Sequence, residues 1–163
     1  MGRKVFFSFH YNEDNWRAAQ VRNMGVVEGN TPIRDNNWEE VKRKGDSEIK
    51  KWIDNQLHGS SCTVVLVGEK TAGRKWIKYE IQRSWELGKG VVGIRIHNLK
   101  NKDGEQSPLG RNPFDDFTFN EEPFSKVVKL YNPPYKVSTN IYNNIKENIE
   151  ELVEQAIKTR KRY

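Results

Sequence analysis

At 163 residues, with 28 Lys or Arg against 22 Asp or Glu, the chain carries a formal charge of +6 and has a pI near 9.4. This is room for one domain with a proper core, and its 5 Trp, 6 Tyr and 7 Phe exclude a disordered chain despite a hydrophobic fraction of 35%. The lone cysteine, Cys62, excludes an internal disulfide framework and a paired-cysteine zinc or redox site, which points to the cytoplasm.

Val5 to Phe9 is a short, almost continuous apolar run of β formers, as expected of a strand covered on both faces. A helix is predicted from about Glu13 to Asn23, capped by Asn12 or Asp14, with Trp16, Ala19, Gln20 and Asn23 on one stripe. Gly25 to Arg34 reads as loop, with a weak strand around Met24 to Val27. The next helix runs from Gly45 or Asp46 to Leu57, its Ile49, Ile53 and Leu57 spaced by four. Cys62 to Val67 is the clearest strand, β-branched and bounded by Ser60-Ser61 and Gly68. A helix over Lys75 to Leu87 and a strand over Val91 to Ile96 follow.

From His97 to Pro134 periodicity is lost in a stretch rich in Asn, Gly, Pro and Asp, with a brief edge strand at Val127 to Leu130. A run that long without regular structure points to function or mobility. The final helix, about 138–160, carries Ile141, Ile145, Ile149, Leu152, Val153, Ala156 and Ile157 on one stripe, with Ser138 or Thr139 as cap. Lys158, Arg160, Lys161 and Arg162 place +4 of the net charge in the last six residues and leave +2 for the body. The basic pI is thereby the property of a solvated helix end favoured by the macrodipole, which argues against a nucleic-acid face. The longest apolar runs fall far short of the ~20 residues of a membrane helix. Gly2 lacks the Ser or Thr at position 6 that myristoylation wants, since Phe6 stands there.

Strands and helices alternating at this spacing predict an α/β fold, a parallel sheet with helices on both faces, and ligands bind such folds beyond the carboxyl ends of the strands. Gly88-x-Gly90-x-x-Gly93 matches the dinucleotide fingerprint as a string, but a helix precedes it and a strand follows, so it has no helix N-terminus for a pyrophosphate. His10, His58 and His97 are far apart and have no carboxylate at metal-ligand spacing. His10 and His97 do fall at strand carboxyl ends, although a structural role is the plainer reading of each. In Trp76-Ile77-Lys78-Tyr79-Glu80, Trp76 and Glu80 share a helix face one turn apart, with Ile77 and Ile81 toward the sheet. A carboxylate at such an apolar boundary is placed for chemistry. Spacing alone nonetheless favours a solvated glutamate paired with Lys75, Lys78 or Arg83.

Val5-Phe6-Phe7-Ser8-Phe9-His10-Tyr11 followed by Glu13-Asp14 resembles the first conserved box of TIR (Toll/interleukin-1 receptor) domains, and Trp76-x-x-x-Glu80 resembles their Trp-to-Glu box. With Trp38-Glu39, Arg74 to Ile81 and Asn112-Pro113-Phe114-Asp115, the string is similar to the TIR-like proteins of bacterial Thoeris anti-phage systems from about residue 3 to 117. The resemblance implies a flavodoxin-like fold and a single TIR-like domain over 1–163, to which the 97–134 stretch and the C-terminal helix are additions. It also implies cleavage of the nicotinamide N-glycosidic bond of NAD, with NAD as substrate and no separate cofactor. The ADP-ribose-derived product, cyclised or joined to an acceptor, would be a diffusible signal to a downstream effector.

By the same resemblance Glu80 is the catalytic residue, and Ser8, Phe9, His10 and Trp76 line the substrate region. Asp35 and Trp38 come from a mobile loop that closes the site or assembles it with a neighbouring copy in a homo-oligomer, and Asn112 joins on the Asn-Pro-Phe match. Arg34, Lys75 and Lys78 are candidates to neutralise the pyrophosphate. The chemistry suits one carboxylate, since a fixed negative charge stabilises the oxocarbenium-like centre formed as nicotinamide, already a good leaving group, departs. The alternative is a non-enzymatic TIR-like module that signals by homotypic assembly.

Overall fold

In the computed structural model, which describes residues 3–29 and 41–163, β1 (Val5–Ser8) leads into α1 (Tyr11–Arg22). There follow α2 (Asp46–His58), β2 (Cys62–Val67), α3 (Lys75–Glu86) and β3 (Gly90–Arg95). A hairpin of β4 (Thr118–Phe119) and β5 (Glu122–Pro123) lies between 3₁₀ turns at Pro113–Asp116 and Phe124–Lys126. Then come β6 (Leu130–Tyr131) and the long α4 (Ser138–Lys161).

The main sheet is parallel, in the order β1-β2-β3-β6. Outside β1, Glu28 forms a parallel bridge to Lys4, with Val5 N–H donating to Glu28 O at 2.8 Å. Counting that bridge as a strand position gives the 2-1-3-4-5 order of flavodoxin-like doubly wound sheets, whose ligands lie at the carboxyl edge where the order reverses. The α/β, flavodoxin-like fold is therefore the one adopted.

Every residue of β1 and β2 is buried, as parallel strands covered on both faces must be. Their alternation divides the core. Val5, Phe7, Cys62, Val64 and Leu66 face Ala18 and Val21 of α1 and the Ile141, Ile145, Ile149 and Val153 stripe of α4. On the opposite face Phe6 meets Ile49, Ile53 and Leu57 of α2, while Val65 and Val67 meet Ile77 and Ile81 of α3. Burial pushes the Cys62 thiol upward, so this sulfur is core and not a nucleophile.

Three local expectations change. The stripe expected on α1 faces outward, with Trp16 54% exposed, because the helix buries Asp14, Arg17, Ala18 and Val21 instead. The 97–134 stretch is folded into the core: Leu99, Phe114, Phe124 and Val128 are buried, and the edge strand forms at Leu130–Tyr131 opposite Gly93 and Ile94. The basic end of α4 is partly used in packing. The Arg160 guanidinium lies 4.6 Å from the centre of the Trp85 ring, and its Nε donates to Trp85 O at 3.0 Å. Gly90 and Gly93 of the would-be fingerprint serve close approach, since a Cβ on Gly90 would stand 2.8 Å from the Ile157 nitrogen of α4.

The polar face of α1 is an anchor. Arg17 pairs with Asp14 at 3.1 Å, donates through Nε to Leu99 O at 2.7 Å and reaches Glu105 O at 3.0 Å, with both charged side chains at most 2% exposed. Removing one partner of a buried pair leaves an uncompensated charge. Arg17→Met is accordingly expected to cost about 3–5 kcal/mol in denaturant unfolding at pH 7, with faster amide exchange in the 99–107 loop, whose carbonyls lose their donor.

Candidate active site

β1 ends at the carboxyl edge of the sheet, and the parity of its alternation puts Ser8 on the side of Phe6, facing α3. Ser8 is 1% exposed, and its hydroxyl donates to Glu80 Oε1 at 2.7 Å. Glu80 sits in the second turn of α3 and is itself only 9% exposed. Its backbone is braced from behind by a short hydroxyl relay: Ser84 Oγ donates to Glu80 O, and Thr63 Oγ1 lies 2.6 Å from Ser84 Oγ. A serine has one proton to give, so Thr63 is the donor to Ser84.

Two of the three cations expected to solvate Glu80 are used elsewhere. Lys75 pairs with Asp46, and Arg83 pairs with Asp54 at 3.2 Å. Loss of water raises the Glu80 pKa to about 8, against which the Ser8 hydrogen bond, favouring the charged form, works only in part. The solvated-glutamate reading is overturned by this geometry.

Glu80 opens on a cavity of about 400 Å³, within the range of small-molecule sites. Phe9, Tyr11, Trp52 and Trp76 give it aromatic walls, and Arg22, Lys42, Arg74 and Lys75 give it positive charge against Glu80, the one carboxyl among the described lining residues. Arg74 is the N-cap of α3 and makes no side-chain cap bond, and the first turn of the helix holds no acidic residue. The positive end of the helix macrodipole thereby adds to the cationic wall. Flat apolar walls beside several cations and one buried carboxyl suit a ligand with aromatic rings and anionic groups.

Of the residues expected here, Phe9, His10, Trp76 and Glu80 line the cavity, and Lys75 does so as well. Ser8 stands behind Glu80 and is not on the wall. Lys78 is also off it. Asn112 is elsewhere: its Oδ1 accepts from Phe114 N–H at 2.9 Å and caps the 3₁₀ turn at Pro113. Arg34, Asp35 and Trp38 lie outside the described residues. His97 is buried off the cavity wall, with its pKa lowered by burial and by Arg95 and Arg17.

His10 has a second duty. It is the N-cap of α1, its Nδ1 accepting from Glu13 N–H at 3.3 Å, in place of the expected Asn12 or Asp14. Burial and the Arg74 charge hold its pKa below the usual imidazole value. Sequence reasoning missed Lys42 and Trp52, and gave no role of their own to Tyr11 and Arg74, which lie within the quoted boxes. Arg74 was findable as the residue just before the Trp-to-Glu helix. Trp52 carried no such signal, since it projects beside the Ile49-Ile53-Leu57 stripe and meets the cavity only through tertiary packing.

Among the described residues no group of His, Cys, Asp and Glu could hold a metal ion. Nor is any helix among them long and apolar enough to cross a membrane.

Two raised carboxyls among the described residues bias stability with pH. Asp14, raised to about 6 chiefly by burial, and Glu80, at about 8, bind protons more tightly folded than unfolded. Their contribution to folding therefore falls as pH rises from the unfolded value toward the folded one. Above pH 7 the Asp14 change is complete and the lowered histidines are neutral, which leaves Glu80. Wild type is expected to lose stability between pH 7 and 8 with a slope of up to about 1.4 kcal/mol per pH unit relative to Glu80→Gln. Urea midpoints of the two proteins across that range measure the difference.

Comparison with known proteins agrees with the fold. Residues 6–101 match the family model described as the TIR-like domain of Thoeris protein ThsB. Over 136 residues the chain is 36% identical to a Bacillus cereus (strain MSX-D12) protein named "Putative cyclic ADP-D-ribose synthase ThsB1", covering 80% of this chain and 71% of that one. With a matching family model over more than half its length and a relative of this similarity, the chain belongs to the Thoeris ThsB family of TIR-like proteins.

Proposed function

We propose that the protein is an NAD-processing enzyme of a Thoeris anti-phage system, which breaks the nicotinamide N-glycosidic bond and releases an ADP-ribose-derived signal. The observation that carries the reading is Glu80, a buried carboxyl braced by Ser8 on the wall of an aromatic and cationic cavity. The name of the Bacillus relative supports cyclisation as the fate of the ADP-ribosyl group.

The chemistry follows from charge. A carboxyl held out of water favours its neutral form until a cation arrives, and the nicotinamide ring of NAD⁺ is one. Its arrival beside Glu80 favours the ionised acid, whose proton passes to bulk water as the ligand enters, and leaves a carboxylate facing the ribose. As the bond between ribose C1′ and the ring nitrogen breaks, both electrons leave with nicotinamide and positive charge passes to the ribose. The fixed carboxylate is stabilising at that point, and more so in a site that excludes water. An adenine nitrogen of the same molecule then donates its electron pair to C1′, which closes the ring as the adenine gives up a proton to solvent, and water attacking at the same position, likewise losing a proton, would give the open product. Nicotinamide leaves neutral, so no general acid is called for. The aromatic walls provide surfaces for the two rings and the cations for the pyrophosphate. The product would diffuse to a separate effector.

Glu80→Gln keeps the volume and removes the charge. It is expected to lower NAD consumption by at least about 100-fold, the scale of losing a central electrostatic stabiliser, while leaving the melting transition cooperative. Incubation with NAD, with and without lysate of phage-infected cells, followed by mass spectrometry of nicotinamide and nucleotide products, measures this. Equal turnover by the Gln variant would overturn the assignment and favour an assembly module.

A further inference from the structure

Ser8 came into view as a residue that lines the substrate region, yet its geometry points to other work. It is the last residue of β1, in register with Val65, and 1% exposed. Glu80 reaches the cavity and Ser8 does not. A serine hydroxyl has one proton, and Ser8 gives it to Glu80 Oε1 over 2.7 Å. Nothing remains for it to donate to a ligand.

We infer that Ser8 is a positioning residue for Glu80: its buried hydroxyl holds one carboxyl oxygen against β1, turns the other toward the cavity and favours the ionised acid. This rests on the reading of Glu80 as the catalytic carboxyl, but the inference concerns a different residue and a different role from contact with substrate.

The surroundings leave Ser8 little competition for that role. Among the described residues, the charged and titratable groups that share the cavity with Glu80 are the cap residue His10, Tyr11 and Arg22 of α1, Lys42, and Arg74 and Lys75 from the start of α3. Arg74 and Lys75 lie about a turn or more before Glu80 on its own helix, and Lys75 is drawn toward Asp46. Burial raises the Glu80 pKa, and the Ser8 hydrogen bond is what opposes it. A hydrogen bond made to the charged form lowers a carboxyl pKa. Without it, Glu80 would hold its proton to higher pH and lose its fixed rotamer.

The test reads Glu80 directly as well as through turnover. The ¹³C carboxyl resonance of Glu80 is titrated in wild type, Ser8→Ala and Ser8→Thr without NAD, with the signal assigned by its loss in Glu80→Gln. The pH dependence of kcat/KM for NAD consumption is measured alongside. Ser8→Ala is expected to move the Glu80 midpoint up by about one pH unit, a tenfold change in the ionised fraction below the midpoint. The acid limb of kcat/KM should move with it, so that activity falls about tenfold at pH 7 and recovers in alkali. Ser8→Thr, which keeps a hydroxyl, should return both toward wild type.

An unmoved Glu80 midpoint in Ser8→Ala overturns the inference. A raised KM with an unmoved pH profile does so too and makes Ser8 a substrate contact. The NMR titration still decides the matter if Ser8→Ala is too disturbed to turn over, and Ser8→Cys, similar in volume with a weaker donor, should give an intermediate midpoint. Undiminished turnover by Glu80→Gln would defeat the proposed function without touching the titration, so the two failures are distinct.

Discussion

The cost of taking one carboxyl group out of water organises this molecule. Glu80 is surrounded by a sheet, a helix and aromatic rings, and its bond to Ser8 offsets only part of the lost hydration. Such an arrangement persists only where the neighbouring structure holds it in place. Here the neighbours are β1 on one side and the Thr63–Ser84 hydroxyl relay on the other, so the acid is braced at both its side chain and its backbone. A buried acid on a cavity wall with cations nearby is a group whose charge waits on its ligand. That property, more than the presence of a glutamate, makes the site a candidate for chemistry on a cationic substrate.

The sheet explains why the pieces meet. Parallel strands deliver all their carboxyl ends to one edge, so the exits of β1 and β2 lie side by side although 60 residues of sequence separate Phe7 and Val67. Alternation along β1 sends Ser8 toward α3, and the chain then turns at once into α1 with His10 as its cap. A one-residue slip in β1 would place Ser8 against α4 and Phe7 against Glu80. The burial of β1 and β2 on both faces protects against that slip, because their large apolar side chains fit two different helical layers.

Legibility in the sequence followed the range of the forces at work. β2 was legible at Cys62–Val67 because six β-branched or apolar residues in a row have few other uses, and α4 because its isoleucines repeat at helical spacing. α1 was found but turned the wrong way: its buried face is polar, and no apolar period marks an Asp14–Arg17 pair whose partners are carbonyls more than 80 residues away. The 97–134 stretch was opaque for a related reason. Its order comes from single aromatic contacts such as Phe124 against Trp85, with ring centres 5.0 Å apart, and these leave no periodic trace. The two boxes announced Glu80 and its strand. Its burial and the Ser8 bond are long-range facts, and spacing along one helix favoured the opposite.

His10 shows how capping and site chemistry constrain each other. Its Nδ1 lone pair is committed to the Glu13 N–H, so the neutral ring carries its proton on Nε2. A second proton would have to take Nδ1 and break the cap, at a cost typical of a lost N-cap of about 1 kcal/mol. Burial and the Arg74 charge oppose that proton as well. His10 therefore meets the cavity as a neutral hydrogen-bond donor and not as a general acid. That state suits the proposed cleavage of NAD, in which nicotinamide would leave uncharged: a neutral N–H adds no positive charge beside a developing cation. The fold thus fixes two groups around the end of one strand, with the Glu80 carboxyl held through Ser8 and the neutral donor kept on His10 through the first turn of α1.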